Sequence, residues 1–169
     1  MILAILQHTP TWVWMAFCAV MTLGISQTRT REVSQGRATF LPLVLTILSL
    51  SGVLSAFSQV PLALAAWVVG LVLSFTVIGP VVAIKGATWS PETRRFQVPG
   101  SWLPVTLILG LFATKYSAGV SLALNHSLAT DIPVATLLSL TYGVFAGIFL
   151  ARARSLFALT RTARGVGFA

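Results

Sequence analysis

Several stretches of about 18 or more residues in this chain hold no Asp, Glu, Lys or Arg, and an apolar helix of that length crosses roughly 30 Å of hydrocarbon. A water-facing globule is closed to such a sequence. Soluble domains carry roughly a quarter charged residues because they must solvate a surface. Here 8% of 169 residues are charged, 56% are hydrophobic and the mean hydropathy is +0.91. Lipid must cover part of the chain, and the expected fold is an all-α membrane protein: a compact bundle of five transmembrane helices with a small cytoplasmic β-hairpin-like loop.

The five spans are expected at about residues 9–27, 39–57, 61–83, 102–125 and 132–150, within a single integral membrane domain over 1–169. Thr9 followed by Pro10 supplies a cap and a preorganised first turn for the first helix. Spans two and three are joined only by Ser58, Gln59 and Val60, so they should be antiparallel neighbours. Gly79 and Pro80 predict a kink or early stop near the end of the third, since Pro cannot donate to the helix ladder. In the loop 85–100, Trp89, Phe96 and Val98 alternate around Ser90-Pro91-Glu92-Thr93, which predicts the hairpin. Ser101 and Asp131 are the N-caps expected for spans four and five. A basic cytoplasmic tail, 152–169, closes the chain.

The net charge of +8 is a topological signal. Arg29, Arg31 and Arg37 follow the first span, Lys85, Arg94 and Arg95 follow the third, and Arg152, Arg154, Arg161 and Arg164 follow the fifth. With five spans these clusters share one side, and Lys and Arg collect on the cytoplasmic side. The N-terminus is therefore expected outside and the C-terminus inside, with membrane lipids rather than nucleic acid meeting the basic residues. Cys18 is the single cysteine, which excludes an intramolecular disulfide or a zinc quartet. The first apolar segment lacks a basic opening and is read as a retained helix, not a cleaved signal.

Three stretches carry a family likeness: Ile5-Leu6-Gln7-His8-Thr9-Pro10-Thr11-Trp12-Val13-Trp14, Arg94-Arg95-Phe96-Gln97-Val98-Pro99-Gly100-Ser101-Trp102-Leu103-Pro104, and Phe112-Ala113-Thr114-Lys115-Tyr116. In these the chain resembles domain of unknown function 6622, a family of small bacterial inner-membrane proteins. The resemblance implies the topology and a bacterial plasma membrane. It brings no activity and no catalytic residue.

Among single residues, Lys115 is the candidate ligand-binding group. It lies deep in the fourth span, where an ammonium costs from about 2.5 kcal/mol upward unless it finds water, a partner or the interface. Snorkelling toward the outer headgroups is the plainer alternative, and Ala118 and Gly119 one turn on would admit a neighbouring helix. His8, His126 and Asp131 fall near outer helix ends and form a weak candidate metal set, without diagnostic spacing. Arg94, Arg95, Arg152 and Arg154 are the expected lipid-headgroup contacts, and Gly143 with Gly147 is a small-residue pair suited to helix packing.

Glu32, Glu92 and Asp131 are the only acids, and no paired carboxylates, metalloprotease helix, nucleophile elbow or phosphate-cradling loop occurs. No catalytic residue and no cofactor are expected. The expected function is that of a non-enzymatic accessory, interaction or lipid-binding membrane protein, with a second copy or another membrane protein as partner. The alternative is a small transporter or anionic-ligand-binding protein with a cavity around Lys115.

Overall fold

The structure, a computed structural model, describes residues 11–166. His8 and the Thr9-Pro10 start expected for the first span lie outside the described residues. Among the described residues, five main helices appear in chain order. They are α1 (Thr11–Ser26), α2 (Gln35–Ala56), α3 (Pro61–Val82), α4 (Leu103–Leu124) and α5 (Ile132–Val166). Three short strands accompany them: β1 (Arg31–Ser34), β2 (Thr88–Ser90) and β3 (Arg95–Val98). Among the described residues, four helices are long and apolar enough to cross a membrane, over Gln35–Ala56, Pro61–Val82, Leu103–Leu124 and Ile132–Arg161. Helix α1 is described over 16 residues, about 24 Å at 1.5 Å per residue, and falls short of that length.

The chain divides into two compact units. In one, α1 packs on α4. Gly24 lies beside Val105, the Phe17 and Phe112 rings meet at 5.0 Å, and the Ser101 amide donates to the Gln27 carbonyl at 3.0 Å. The Ser101 hydroxyl accepts from the Leu103 amide at 3.2 Å, but the N-cap of α4 is Trp102, one residue beyond the Ser101 expected there.

The other unit holds α2, α3, α5 and the strands. Small residues set how closely α3 and α5 approach. A Cβ on Gly143 would strike the Trp67 carbonyl, one on Gly147 the Leu71 carbonyl and Ser74 hydroxyl, and one on Gly70 the Leu140 carbonyl. Such close backbone packing supplies dispersion contacts along the whole seam between the two helices.

Gly79 and Pro80 do not stop α3. The helix widens into a π turn at Ser74–Ile78, where the Gly79 amide reaches back to the Ser74 carbonyl, and then resumes over Gly79–Val82. The wider turn makes room for the proline ring, which would otherwise press on the carbonyl one turn back.

Two other expectations need correction. The hairpin exists, with Trp89 paired to Phe96, but it is two-thirds of a three-stranded antiparallel sheet of order β1-β3-β2. The third strand comes from the basic loop after α1, with Val33 opposite Phe96 and Arg31 opposite Val98. Phe96 is fully buried, its ring 4.6 Å from Trp89 and 5.9 Å from Phe157 of α5. With Val33, Ala38, Ala87, Val98 and Leu156 it forms a small core. The second correction is that α5 continues helically past Leu150 to Val166, carrying Arg152, Arg154 and Arg161 with it. Its Leu156 and Phe157 are the residues on which the sheet packs.

Candidate functional site

Each candidate residue is positioned by its own element. Lys115 lies on α4, half-buried, with Ala118 buried one turn on. Gly119 faces open space: a Cβ there would meet nothing within 4 Å. Tyr116 stacks on Phe112 at 6.2 Å, on the side where Phe112 meets α1.

His8 is outside the described residues, and among the described residues no three His, Cys, Asp or Glu side chains come together. His126 opens a single 3-10 turn, His126–Ala129. Asp131 caps α5, its carboxylate accepting from the Val134 amide at 3.0 Å, which places a negative charge at the positive end of the helix dipole.

The four arginines expected at lipid headgroups divide. Arg94 is exposed at the hairpin turn, where its φ of 52° lies in the left-handed region. Arg95 pairs with Glu32 of β1 at 3.1 Å, both half in water, a geometry that contributes at most about 1 kcal/mol. Arg154 sets its guanidinium 5.3 Å from the centre of the Phe75 ring of α3. Arg152 is half-buried, and its Nη1 donates to the Val82 carbonyl at 3.0 Å, closing the last turn of α3.

Two features escaped the sequence reading. Arg31 lies on the same face of β1 as buried Val33 and is half-buried. Burial holds its guanidinium below the usual arginine range, and neighbouring Arg37 adds to the effect. The alternation of charge and Val33 was visible, but only pairing with β3 gives it a direction. The second feature is a polar seam within the apolar bundle. Trp67 Nε1 donates to Ser49 Oγ at 2.9 Å, and Ser49 Oγ donates to the Tyr142 carbonyl at 3.1 Å. Close by on α5, the hydroxyls of Ser139 and Thr136 are buried with no hydrogen-bond partner among the described residues.

This arrangement offers cation and hydroxyl contacts rather than an acid-base pair. No curated protein and no solved structure matches the chain. A family model, described as a family of unknown function (DUF6622), matches residues 1–165, and the chain belongs to that family.

Proposed function

We propose that this chain is a five-helix protein of the bacterial inner membrane, N-terminus outside and C-terminus cytoplasmic, acting as a non-enzymatic accessory protein that binds lipid or a membrane partner. One observation carries the reading: β1, the β2–β3 hairpin and the end of α5 come together in one folded layer. That layer gathers Arg31, Arg37, Arg94, Arg95, Arg152 and Arg154 from three separate basic segments. Two helices, α2 and α3, lie between β1 and β2 in the chain, and the shared sheet therefore supports an even number of crossings between them. Positive charge collected at one end of an apolar bundle supports that end as the cytoplasmic one. A single further helix before β1 would then start outside.

Reporter fusions test the orientation. A cytoplasm-only reporter fused after Ala169 should be active, and activity of a periplasm-only reporter there overturns it. Native mass spectrometry of the gently purified full chain tests the function, with anionic phospholipid or a partner protein expected to co-purify. The second reading, an anionic-ligand site at Lys115, draws support from the half-buried position of that residue beside buried Ala118. A small bound anion that disappears in Lys115→Ala would favour it over the first.

A further inference from the structure

Three segments of the sheet-bearing unit, far apart in the chain, meet in one small core. Ala38 in the first turn of α2, Ala87 just after α3 and Leu156 of α5 are buried there with Val33, Phe96 and Val98 of the sheet. That shared cluster marks a common level on the three segments. Each carries an exposed cation within two residues of it: Arg37 beside Ala38, Lys85 before Ala87 and Arg154 before Leu156. Among the described residues the one ion pair, Arg95 with Glu32, uses none of the three.

The exposed surface changes character across this level. On the bundle side it turns apolar within about one helical turn, at Phe40 of α2, 69% exposed, and Val81 of α3, 77% exposed. On the sheet side it stays polar. Paired residues share a face of the sheet, so Ser34, Arg95 and Ser90 make one outward row and Glu32, Gln97 and Thr88 the next. All six are exposed. Phe40 and Val81 suit acyl chains, whereas that grid of polar side chains needs water.

Length points to the same level independently. Measured from it to the far helix ends, residues 37–56 of α2, Pro61–Val82 of α3 and 132–154 of α5 extend about 30, 33 and 35 Å at 1.5 Å per residue. Each is close to one hydrocarbon thickness. Residues 155–166 of α5 are surplus to a crossing, about 18 Å of helix, and that part carries Leu156, on which the sheet packs.

We propose that this level is the boundary between hydrocarbon and headgroups, and that Arg37, Lys85 and Arg154 form a contact surface for anionic phospholipid headgroups, with the sheet beyond it in water. The proposal rests on the membrane reading above and names its lipid contacts. It holds for either orientation of the chain.

Depth and lipid preference test it separately. The full chain, with exposed Cys18 replaced by Ser, carries single nitroxide-labelled cysteines in vesicles of phosphatidylglycerol and phosphatidylcholine. Labels at Phe40→Cys and Val81→Cys should collide preferentially with oxygen, which partitions into hydrocarbon. Labels at Thr88→Cys and at Gly36→Cys, where a Cβ meets nothing within 4 Å, should collide preferentially with a water-soluble nickel chelate. One preference shared by all four labels would overturn the boundary, and a shared preference for the chelate would overturn the membrane reading with it. In native mass spectrometry of the detergent-solubilised chain, phosphatidylglycerol should be retained over phosphatidylcholine. Arg37→Gln and Lys85→Gln should each weaken that retention by about fivefold, the effect of one basic residue at an anionic surface. Arg161→Gln removes an exposed cation about 10 Å further along α5 than Arg154 and should change it by less than about twofold. An equal loss with Arg161→Gln, or no preference in the parent, would overturn the contact surface even where the depth pattern holds.

Discussion

The indole Nε1 of Trp67 donates to Ser49 Oγ at 2.9 Å, and Ser49 in turn donates to the Tyr142 carbonyl, so one hydroxyl ties α2, α3 and α5. In an apolar bundle without water, removing it leaves a buried N–H unsatisfied. Ser49→Ala should destabilise the fold by about 1–2 kcal/mol. A double-mutant cycle with Trp67→Phe, read by reversible unfolding in mixed micelles, should give a coupling of at least about 0.5 kcal/mol. Strict additivity would mean that the bond contributes nothing.

Two glycines distinguish packing from mere helix flexibility. Gly143 lies against the Trp67 carbonyl, a backbone atom that cannot rotate away, so Gly143→Ala should cost about 1–3 kcal/mol by forcing α3 and α5 apart. Gly119 has open space at its Cβ position. Gly119→Ala should therefore be neutral or stabilise by up to about 1 kcal/mol, the difference in helix propensity. Comparing their unfolding midpoints in one detergent checks both, and a cost at Gly119 equal to that at Gly143 would contradict the assigned contacts.

Much of this was legible because it is local. Uncharged runs gave α2 to α5, Asp131 announced its own cap, and alternation at Trp89, Phe96 and Val98 gave the hairpin. What was hidden depends on distant partners. Arg31-Glu32-Val33-Ser34 holds one apolar residue, too little to announce a strand, and becomes one because β3 is available more than 60 residues on. Charge misled at α5: arginines after Leu150 read as a tail, although Ala, Arg and Leu are all good helix formers and neither Gly nor Pro interrupts Ala151–Ala163. The seam at Ser49 needed three helices in register before a serine among many could be singled out.

The sheet should be a separable layer. Phe96 is fully buried between Trp89 and Phe157, and Phe96→Ala should cost that layer about 3–5 kcal/mol. Hydrogen exchange should show the amides of β1 and β3 losing protection while those of α3 keep theirs. Simultaneous loss in both would mean that the sheet and bundle unfold as one. The hairpin turn offers the opposite change. Arg94 holds a left-handed backbone that glycine adopts without penalty, so Arg94→Gly should slow exchange of the Arg95–Val98 amides by an amount equivalent to about 1 kcal/mol.

Lys115 separates the two functional readings. In the accessory reading its ammonium is a cost of about 2.5 kcal/mol or more to membrane insertion, so Lys115→Met, of similar length and apolar, should insert more efficiently and unfold at higher denaturant. Ala118, one turn on, is already buried, and the methionine keeps the aliphatic stem that packs beside it. Lipid retention should be the same as in the parent, because in the accessory reading it depends on the basic residues of the sheet layer and not on Lys115. If Lys115→Met instead loses a bound anion, that anion holds the ammonium. The ligand-site reading would then displace the accessory one.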